Sequence, residues 1–427
     1  MLAGGELVET PPKTSRNGAL MTLTAENPRI AAAHEPFTPL ISDFYGYEAL
    51  LTEQEKQYIV KLRAFLDAEV RPIMNDLWMK AEFFPHHIVT GLAELGLFGQ
   101  SFPETQRFPN SATFRGWVAL ELARVDASVA TLVGMQNGLV MGSIAVAGSA
   151  EQRAEWLPQF ASGKLLGAFA LTEPLSGSDT AQGLQTVAKR QGDHWVINGA
   201  KRWIGNGSIS DVTIIWARDA DDNQVKGFIV PTTTEGYSAK RIENKQALRI
   251  VQNADIVLTD MIVPEANRLQ GSKSFRETAA VLRLTRAEVA WAAVGNAVGA
   301  YEAAVDYADT RIQFGQPIGS HQLVQELLAK SLGNITSSIG LVTRVSDMLD
   351  EGTQRDEHSA LAKEFTTSRM RETVAWCREL FGGNGIVMDY GVMKYFADAE
   401  AIYSYEGTRE MNTLIVGRAI TGKAAFV

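Results

Sequence analysis

The chain has 427 residues, of which 45% are hydrophobic and 21% charged, a composition typical of a globular protein with more than one domain. Its formal net charge of -9 argues against nucleic acid as a partner, because binding to phosphates needs a basic surface. A single cysteine, Cys377, excludes an intramolecular disulfide and a multi-cysteine metal site, and the helical pattern around it predicts a buried thiol. The six histidines show no metal-ligand spacing, so no metal site is predicted.

The sequence shows no membrane-spanning or targeting pattern. No run approaches the roughly 18 consecutive apolar residues that a transmembrane helix needs, and the N-terminus lacks the apolar core of a signal peptide. The final residues, Lys423–Val427, differ from a Ser-Lys-Leu ending. A cytoplasmic location without membrane contact is therefore expected.

The first half of the chain changes from irregular to helical. Residues 1–45 are rich in Gly, Pro, Thr, Ser and Asn, which predicts a flexible N-terminal arm. Helical periodicity begins near Leu50, and Thr52–Glu55 and Ser149–Gln152 both have the pattern of a helix-starting capping box. Residues 46–165 are therefore predicted to form an N-terminal helical domain.

Between residues 166 and 280 the pattern becomes extended, which predicts a middle antiparallel β-domain. Asn198-Gly199 separates two apolar runs, His194–Ile197 and Lys201–Ile204, and this dipeptide favours the tight turn of a hairpin. A second hairpin is predicted around the polar turn Asp219–Asn223. Further strands are predicted at Ala254–Leu258 and Met261–Val263.

Long amphipathic patterns return in residues 281–427. They predict helices at Ala290–Ala308, Gln322–Leu349 and His358–Phe381, which together indicate a C-terminal helical bundle. The fold class predicted for the whole chain is α+β and mostly α.

Five motifs in series resemble the acyl-CoA dehydrogenase family of flavoproteins: Leu171–Asp179, Asn198–Asn206, Arg311–Gly315, Phe381–Gly385 and Tyr405–Thr408. The resemblance extends from about Tyr45 to the end of the chain. It is closest to the branch that contains glutaryl-CoA dehydrogenase and the plant short-chain acyl-CoA oxidase. It implies the acyl-CoA dehydrogenase fold, FAD as cofactor, and a C-terminal four-helix bundle that forms a homotetramer.

The resemblance also implies a catalytic base. Glu406 precedes Gly407, and a glycine lets the backbone approach a ligand closely. In the family this glutamate removes the α-proton of an acyl-CoA, a hydride passes from Cβ to flavin N5, and a trans-2-enoyl-CoA forms. The family's thioester oxygen is held by the amide of the same glutamate and by a ribityl hydroxyl. Glu410 is a nearby competing carboxylate, but it lies outside the motif.

Other site residues are expected from the same resemblance. Ser178, Arg286 and Gly407 are expected to bind the acyl-CoA, and Gly205 stands where relatives have a hydroxyl residue close to flavin N5. Arg311, Gln313, Phe314 and Gln322 are expected to reach the FAD of a neighbouring subunit. The remaining residues expected to contact FAD are Phe169, Leu171, Thr172, Gly177, Ser178, Trp203, Ile204, Gly205, Glu379, Leu380, Phe381, Gly382, Gly383 and Thr408.

The residues at the acyl-binding positions indicate which substrate is favoured. The stripe Leu132, Val133, Met135, Leu139, Val140 and Met141 has two interpretations, an acyl pocket or a plain helix core. Glutaryl enzymes hold the distal carboxylate with an arginine and a serine, and Ala130 and Gly134 stand at those positions here. A buried carboxylate without a cation is costly, which favours a short-chain or branched acyl-CoA.

Three hypotheses on activity remain. The first is an acyl-CoA dehydrogenase that passes electrons to an electron-transfer flavoprotein. The second is an acyl-CoA oxidase that uses O2, with glutaryl-CoA dehydrogenase as a further substrate alternative. The third is a helical binding protein without catalysis.

Overall fold

The computed structural model describes residues 36–424, so residues 1–35 of the predicted arm and residues 425–427 lie outside the described residues. Residues 36–45 lie against the N-terminal helices. Phe37 and Leu40 pack on the main core, and the Arg63 guanidinium covers the Phe37 ring at 4.9 Å.

The N-terminal domain is helical, as predicted. Both capping boxes form: Thr52 caps the first helix, and Ser149 caps the helix that contains Pro158. The helices of this domain are α1 (Glu53–Phe65, continued by a π-helical segment Leu66–Val70), α2 (Arg71–Lys80), α3 (His86–Glu94), α4 (Ala112–Val125), α5 (Ala127–Gly134), a π-helical segment (Met135–Met141), α6 (Gly142–Ala147) and α7 (Ala150–Ala161).

The run Ala127–Ala147 is long and apolar enough to cross a bilayer by length and composition, and 67% of it is buried inside the protein. Leu132, Val133 and Met141 are each almost completely shielded. Burial of this extent is that of a core helix, and it accounts for most of the apolar stripe in this part of the sequence.

The middle domain is a seven-stranded sheet. Its strands are β1 (Gly167–Ala170), β2 (Val187–Gln191), β3 (His194–Gly205), β4 (Val212–Asp219), β5 (Val225–Pro231), β6 (Tyr237–Arg241) and β7 (Asn253–Pro264), with the short helix α8 (Thr180–Gly183) after β1. The pairing order is β1-β4-β2-β3-β7-β6, and β5 pairs with the other edge of β4. Because β1 and β2 both run parallel to β4, the sheet is mixed and not purely antiparallel as predicted.

The hairpin predicted at Asn198-Gly199 is wrong. β3 continues through both residues and stays paired with β7, with a register shift between Ile197 and Gly199. The Asn198 side chain pairs with Asp260 on β7 instead, accepting from its amide at 2.8 Å and donating to its carboxylate at 3.0 Å. The β-bulge at this point is on β7, where Thr259 and Asp260 stand opposite the single residue Asn198. The hairpin predicted around Asp219–Asn223 is confirmed by the β4–β5 pairing.

The C-terminal part is a helical bundle built on the long helix α9. Its helices are α9 (Phe275–Thr310), α10 (Gln322–Asp350), α11 (Asp356–Leu380), α12 (Val392–Ser404) and α13 (Arg409–Thr421), with the two-stranded hairpin β8 (Ile312–Gln313) and β9 (Gln316–Pro317) after α9. α9 packs on α4 as well as on α11, so one core joins the two helical domains. The motif Tyr405–Thr408 lies in the short connection between α12 and α13.

Candidate active site

The connection between α12 and α13 holds Glu406 in an unusual backbone conformation. Glu406 has φ of 52° and Gly407 has φ of 88°, so two successive residues occupy the left-handed region. A non-glycine residue there is strained and persists only where its surroundings fix it. In this case the conformation turns the Glu406 side chain back toward α9 rather than along the direction of α12.

Two polar side chains fix this connection. The buried Lys363 ammonium on α11 donates to the carbonyl oxygens of Tyr405 at 2.5 Å and Gly407 at 2.6 Å. Asn412 on α13 donates to the carbonyls of Gly407 and Thr408 at 2.9 and 3.0 Å. The carbonyls on both sides of Glu406 are therefore bound, and within the described part of the chain no acceptor is paired with the Glu406 amide.

The Glu406 carboxylate lies in a desolvated environment. Burial raises its pKa, while the Thr285 hydroxyl and the charges of Lys363 and Arg286 lower it by less. Its Oε2 atom is shielded and has no hydrogen-bond partner among the described residues. A raised pKa and a free carboxylate oxygen are the properties of a general base waiting for a substrate proton.

Arg286 on α9 approaches the same connection. An ideal Cβ on Gly407 would lie 3.8 Å from Arg286 Nε, and that nitrogen is buried without a partner among residues 36–424. Burial lowers the Arg286 pKa, and the charges of Asp356 and Glu406 oppose that effect. The structure thus brings together Glu406, Gly407 and Arg286, and it leaves Arg286 Nε and Glu406 Oε2 without partners among the described residues.

A second carboxylate, Glu288, was missed by the sequence reasoning. Glu288 follows Thr285 by one turn of α9, and burial together with the Glu406 charge raises its pKa to about 7, which the Arg115 charge only partly offsets. It borders a cavity of about 320 Å³ that also touches Arg115 and Asp350. The available signal was an ionisable residue directly before the buried run Val289–Val298.

The loop after β1 is held by another buried lysine. Lys201 is fully buried and donates to Glu173 Oε1 at 2.8 Å and to the Leu171 and Trp216 carbonyls at 3.0 and 2.6 Å. Burial opposes ionisation of Glu173, but Lys201 and donors from residues 185–186 outweigh it and hold the Glu173 pKa below its usual value. This pair fixes the loop that carries Thr172, Gly177 and Ser178.

The loop presents open surface where a flavin was expected. Gly177 and Ser178 are exposed, their amides donate no hydrogen bond to any described residue, and an added Cβ on Gly177 would meet no atom within 4 Å. The Thr172 hydroxyl is already used, since it donates to the Arg202 carbonyl at 2.6 Å. Phe169, Leu171 and Ile204 are buried, so those three residues offer only backbone to a ligand.

Trp203 lies in β3 opposite this loop. It has φ of 65° and its side chain is 54% exposed, which is unusual for so large an apolar residue in a strand. At Gly205 an ideal Cβ would lie 2.8 Å from Met135 Sδ, so a larger residue there requires this flexible side chain to move. The sulfur of the π-helical segment therefore occupies the space beside Gly205.

The residues expected to reach a neighbouring FAD are all exposed. Arg311, Gln313 and Gln322 are exposed, and Phe314, at the tip of the β8–β9 hairpin, is 95% exposed with φ of 53°. Among the described residues, no hydrogen bond joins this hairpin to the connection that carries Glu406.

The residues expected near adenosine divide into two groups. Phe381 is buried and its ring stacks on Tyr307 with centroids 4.2 Å apart, so it belongs to the core of the bundle. Glu379, Gly382 and Gly383 are exposed, and Leu380 is partly buried. Thr408 caps α13, its hydroxyl accepting from the Met411 amide at 3.3 Å.

Comparison with known proteins identifies the family. Models of the acyl-CoA dehydrogenase N-terminal, middle and C-terminal domains match residues 52–164, 168–261 and 275–421. The chain belongs to the acyl-CoA dehydrogenase family. It is an acyl-CoA dehydrogenase enzyme by this membership, and the hypothesis of a helical binding protein loses its support.

Individual relatives cover nearly the whole chain. The mitochondrial short-chain specific acyl-CoA dehydrogenase of Mus musculus is 31% identical over 83% of this chain and 87% of its own length. A subunit of the caffeyl-CoA reductase–Etf complex of Acetobacterium woodii is 28% identical over 87% of this chain and 99% of its own.

Solved structures share the fold. Glutaryl-CoA dehydrogenase from Mycobacterium smegmatis has a TM-score of 0.87 and 35% identity, over 91% of this chain and 100% of its own. A glutaryl-CoA dehydrogenase from the same organism in complex with FADH2 has a TM-score of 0.87 and 31% identity, with the same coverage.

Proposed function

We propose that the protein catalyses the FAD-dependent α,β-dehydrogenation of a short-chain or branched acyl-CoA to the trans-2-enoyl-CoA, with Glu406 as the base. The observation that carries this proposal is the desolvated Glu406 carboxylate, whose Oε2 has no partner among the described residues. A thioester α-proton is weakly acidic, and its removal needs a base of raised pKa together with a donor to the thioester oxygen.

The residues around Glu406 supply both requirements. Its carboxylate takes the α-proton, and its unpaired amide donates to the thioester oxygen, where negative charge develops. Lys363 keeps both groups aligned because it binds the carbonyls on either side of Glu406. The free Arg286 Nε beside Gly407 is available to an anionic or carbonyl group of the CoA chain.

FAD is the cofactor, and when bound it supplies the acceptor for the hydride that leaves Cβ. The residues present fit a flavin: the free amides of Gly177 and Ser178 are donors for its polar edge, and the exposed Trp203 offers an aromatic face. Lys201 holds the loop that presents those amides.

The distal end of the site disfavours glutaryl-CoA as substrate, despite the likeness to glutaryl-CoA dehydrogenases. An ideal Cβ on Gly134 would lie 3.2 Å from Glu288 Oε1, so a carboxylate stands beside the position where glutaryl enzymes have a serine. A second carboxylate would meet like charge there. An electron-transfer flavoprotein is the proposed electron acceptor, supported by the relative from the caffeyl-CoA reductase–Etf complex. Direct reaction with O2 is the alternative.

The exposed hairpin supports the proposal of a homotetramer. Phe314, Ile312 and Leu323 are 95%, 52% and 76% exposed, and large apolar side chains grouped in this way are typical of an interface between copies. In that assembly the hairpin would reach the FAD of a neighbouring subunit.

The test is anaerobic mixing of the FAD-loaded protein with butyryl-, isobutyryl- and glutaryl-CoA while the flavin absorbance is followed. We expect bleaching by the first two, little by glutaryl-CoA, and none in Glu406→Gln. Admitting air to the bleached protein then distinguishes the acceptors, since rapid return of the colour indicates an oxidase. Bleaching that is unchanged in Glu406→Gln would overturn the assignment of the base.

A further inference from the structure

The cavity beside Glu288 extends the site away from the reacting carbons. It has a volume of about 320 Å³, and its apolar lining comes from α4, the α5–α6 run and α9, including Val118, Leu122, Val133 and Trp291. This volume is at the lower end of the range for small-molecule pockets. It exceeds what the end of a butyryl group needs, so the cavity can hold a longer or substituted acyl chain.

Glu288 lines the cavity and also lies close enough to Glu406 for the Glu406 charge to raise its pKa. An ideal Cβ on Gly138 would lie 2.6 Å from Thr285 Cγ2 and 3.2 Å from Glu288 Oε2, so these two side chains are neighbours over Gly138. The Thr285 hydroxyl in turn lies near the Glu406 carboxylate and lowers its pKa. Thr285, which lies near the base, and Glu288 are one turn of α9 apart, a distance of about 5 Å along the helix. An acyl chain that starts at Glu406 and enters the cavity passes Glu288 a few carbons beyond Cβ.

Among the described residues, the Glu288 carboxylate makes no hydrogen bond or ion pair that would stabilise the fold. Within residues 36–424 no hydrogen bond reaches it, although the residue is half-buried. The nearby Arg115 is engaged elsewhere: it donates to the Asn110 carbonyl and side chain at 3.1 and 2.9 Å and lies 3.7 Å from Asp350. Asp350 is itself held by the Ala112 amide at 2.9 Å.

We propose that Glu288 is a specificity-determining residue that accepts a hydrogen bond from a hydroxyl or ammonium group on the acyl chain, beyond Cβ. An unbranched alkyl chain would desolvate this carboxylate without replacing its water, which is costly. A distal carboxylate would add like charge. With the ionised carboxylate, a hydroxyl or ammonium donor forms a charge-assisted hydrogen bond, which is stronger than a neutral one. This inference rests on the proposed function, since it assigns the acyl group that enters the site beside Glu406.

The test measures flavin reduction by matched pairs of acyl-CoAs. Butyryl-, valeryl- and hexanoyl-CoA are compared with their ω-hydroxy and ω-amino derivatives, and the ratio of reduction rate to dissociation constant is determined under anaerobic conditions. For one chain length we expect the donor-bearing substrate to exceed its plain counterpart by about tenfold or more. The hydroxy and amino arms show which donor is preferred.

Three variants connect this preference to Glu288. In Glu288→Leu we expect the ratio to invert in favour of the plain chain, because the acceptor is gone and an apolar side chain takes its place. Glu288→Gln keeps an acceptor without the charge, so we expect it to retain the hydroxy substrate and lose the amino one. Val133→Ala changes the volume of the same cavity but no polar group, and it is expected to shift plain and substituted chains together.

The outcomes separate this inference from the proposed function. If plain acyl-CoAs bleach the flavin and their ratio to the substituted ones is the same in wild type and Glu288→Leu, the role of Glu288 is overturned and the dehydrogenation stands. If no acyl-CoA bleaches an FAD-loaded protein, both fail. Dissociation constants of the enoyl-CoA products are measured from the flavin spectrum. The ratio between substituted and plain products must change in Glu288→Leu as it does for the substrates. A role of Glu288 in folding alone would leave this ratio unchanged.

Discussion

Two buried lysines are used in opposite ways. Lys201 pairs directly with Glu173 at 2.8 Å, and the Glu173 pKa is held below its usual value. Lys363 donates to the backbone carbonyls on both sides of Glu406 and leaves the carboxylate unpaired, so burial dominates and the Glu406 pKa is raised. A buried carboxylate that is paired supports the fold, whereas one that is buried and left unpaired is available for chemistry.

The largest effect is expected on the rate of flavin reduction when the unpaired carboxylate, Glu406, is replaced. Glu406→Gln keeps the size of the side chain but removes the base, so we expect the rate of flavin reduction by butyryl-CoA to fall by about 10³–10⁴-fold. The measurement is anaerobic stopped-flow absorbance. Glu410→Gln, which alters the exposed carboxylate four residues later, is the control and should stay within about twofold of wild type, since four residues of chain and a helix start separate it from the site. Equal losses in the two variants would contradict the assignment.

Removing the paired lysine should affect the fold instead. Lys201→Met leaves the Glu173 charge buried without its cation, and we expect the free energy of unfolding to fall by about 3–5 kcal/mol. Chemical denaturation of the FAD-loaded protein measures this loss. Lys80→Met, which breaks an exposed pair with Asp76 of the same 2.8 Å length, should leave the free energy of unfolding nearly unchanged, because solvent screens this pair. If both substitutions cost the same, the buried pair does not hold the loop after β1.

Glu288 is a second unpaired carboxylate, and its effect on stability should depend on pH. Its folded pKa is about 7 against an ordinary value of 4.5, so between these values the folded protein keeps a proton that the unfolded chain releases. Raising the pH through this window therefore destabilises the fold, and the full penalty, roughly 3 kcal/mol, is present above about pH 7. Glu288→Gln should remove it.

The corresponding measurement is the free energy of unfolding of wild type and Glu288→Gln at about pH 5 and pH 8. We expect the variant to gain stability relative to wild type as the pH rises. Glu410→Gln, at an exposed position, should show no such gain. A constant difference between Glu288→Gln and wild type would show that Glu288 does not titrate in this range.

The smallest effect is expected at Lys363, which acts through the backbone. Lys363→Met removes its two short hydrogen bonds to the connection around Glu406, and we expect flavin reduction to slow by about 10–100-fold because the base is less well positioned. Its charge also lowers the Glu406 pKa, so without it that pKa should rise further. Because the base is active when deprotonated, the rate should increase with pH, and the profile of the variant should lie at higher pH than that of wild type. Lys330→Met on α10, an exposed lysine, is the control; a slower rate with an unmoved pH profile would indicate a purely structural role.

Much of the fold and the position of the base could be predicted from local sequence patterns. The capping boxes at Thr52 and Ser149 and the β4–β5 hairpin depend on residues close together in the chain, and they form as predicted. The hairpin at Asn198-Gly199 failed because Asn198 finds its partner on Asp260, which is 62 residues away. The parallel pairing of β1 with β4 is likewise a long-range property that no local pattern carries.

The site shows the same limit. The motif around Glu406 could be read from the sequence, but Lys363, Glu288 and Lys201 could not, because each acts on residues from a different segment. Lys363 and Lys201 resemble ordinary polar positions of a helix and a strand until burial and their carbonyl partners are seen. Glu288 becomes notable only beside the cavity that it borders.

Exchange of the substrate's α-proton with solvent deuterium tests the central claim most directly, because it reports on the removal of that proton. Butyryl-CoA is incubated in D2O with the anaerobic, FAD-loaded protein, and deuterium at Cα is followed by NMR. We expect wild type and Glu288→Gln to incorporate deuterium and Glu406→Gln to incorporate none. Exchange that persists in Glu406→Gln and disappears in Glu288→Gln would contradict the account and assign the base to the second carboxylate.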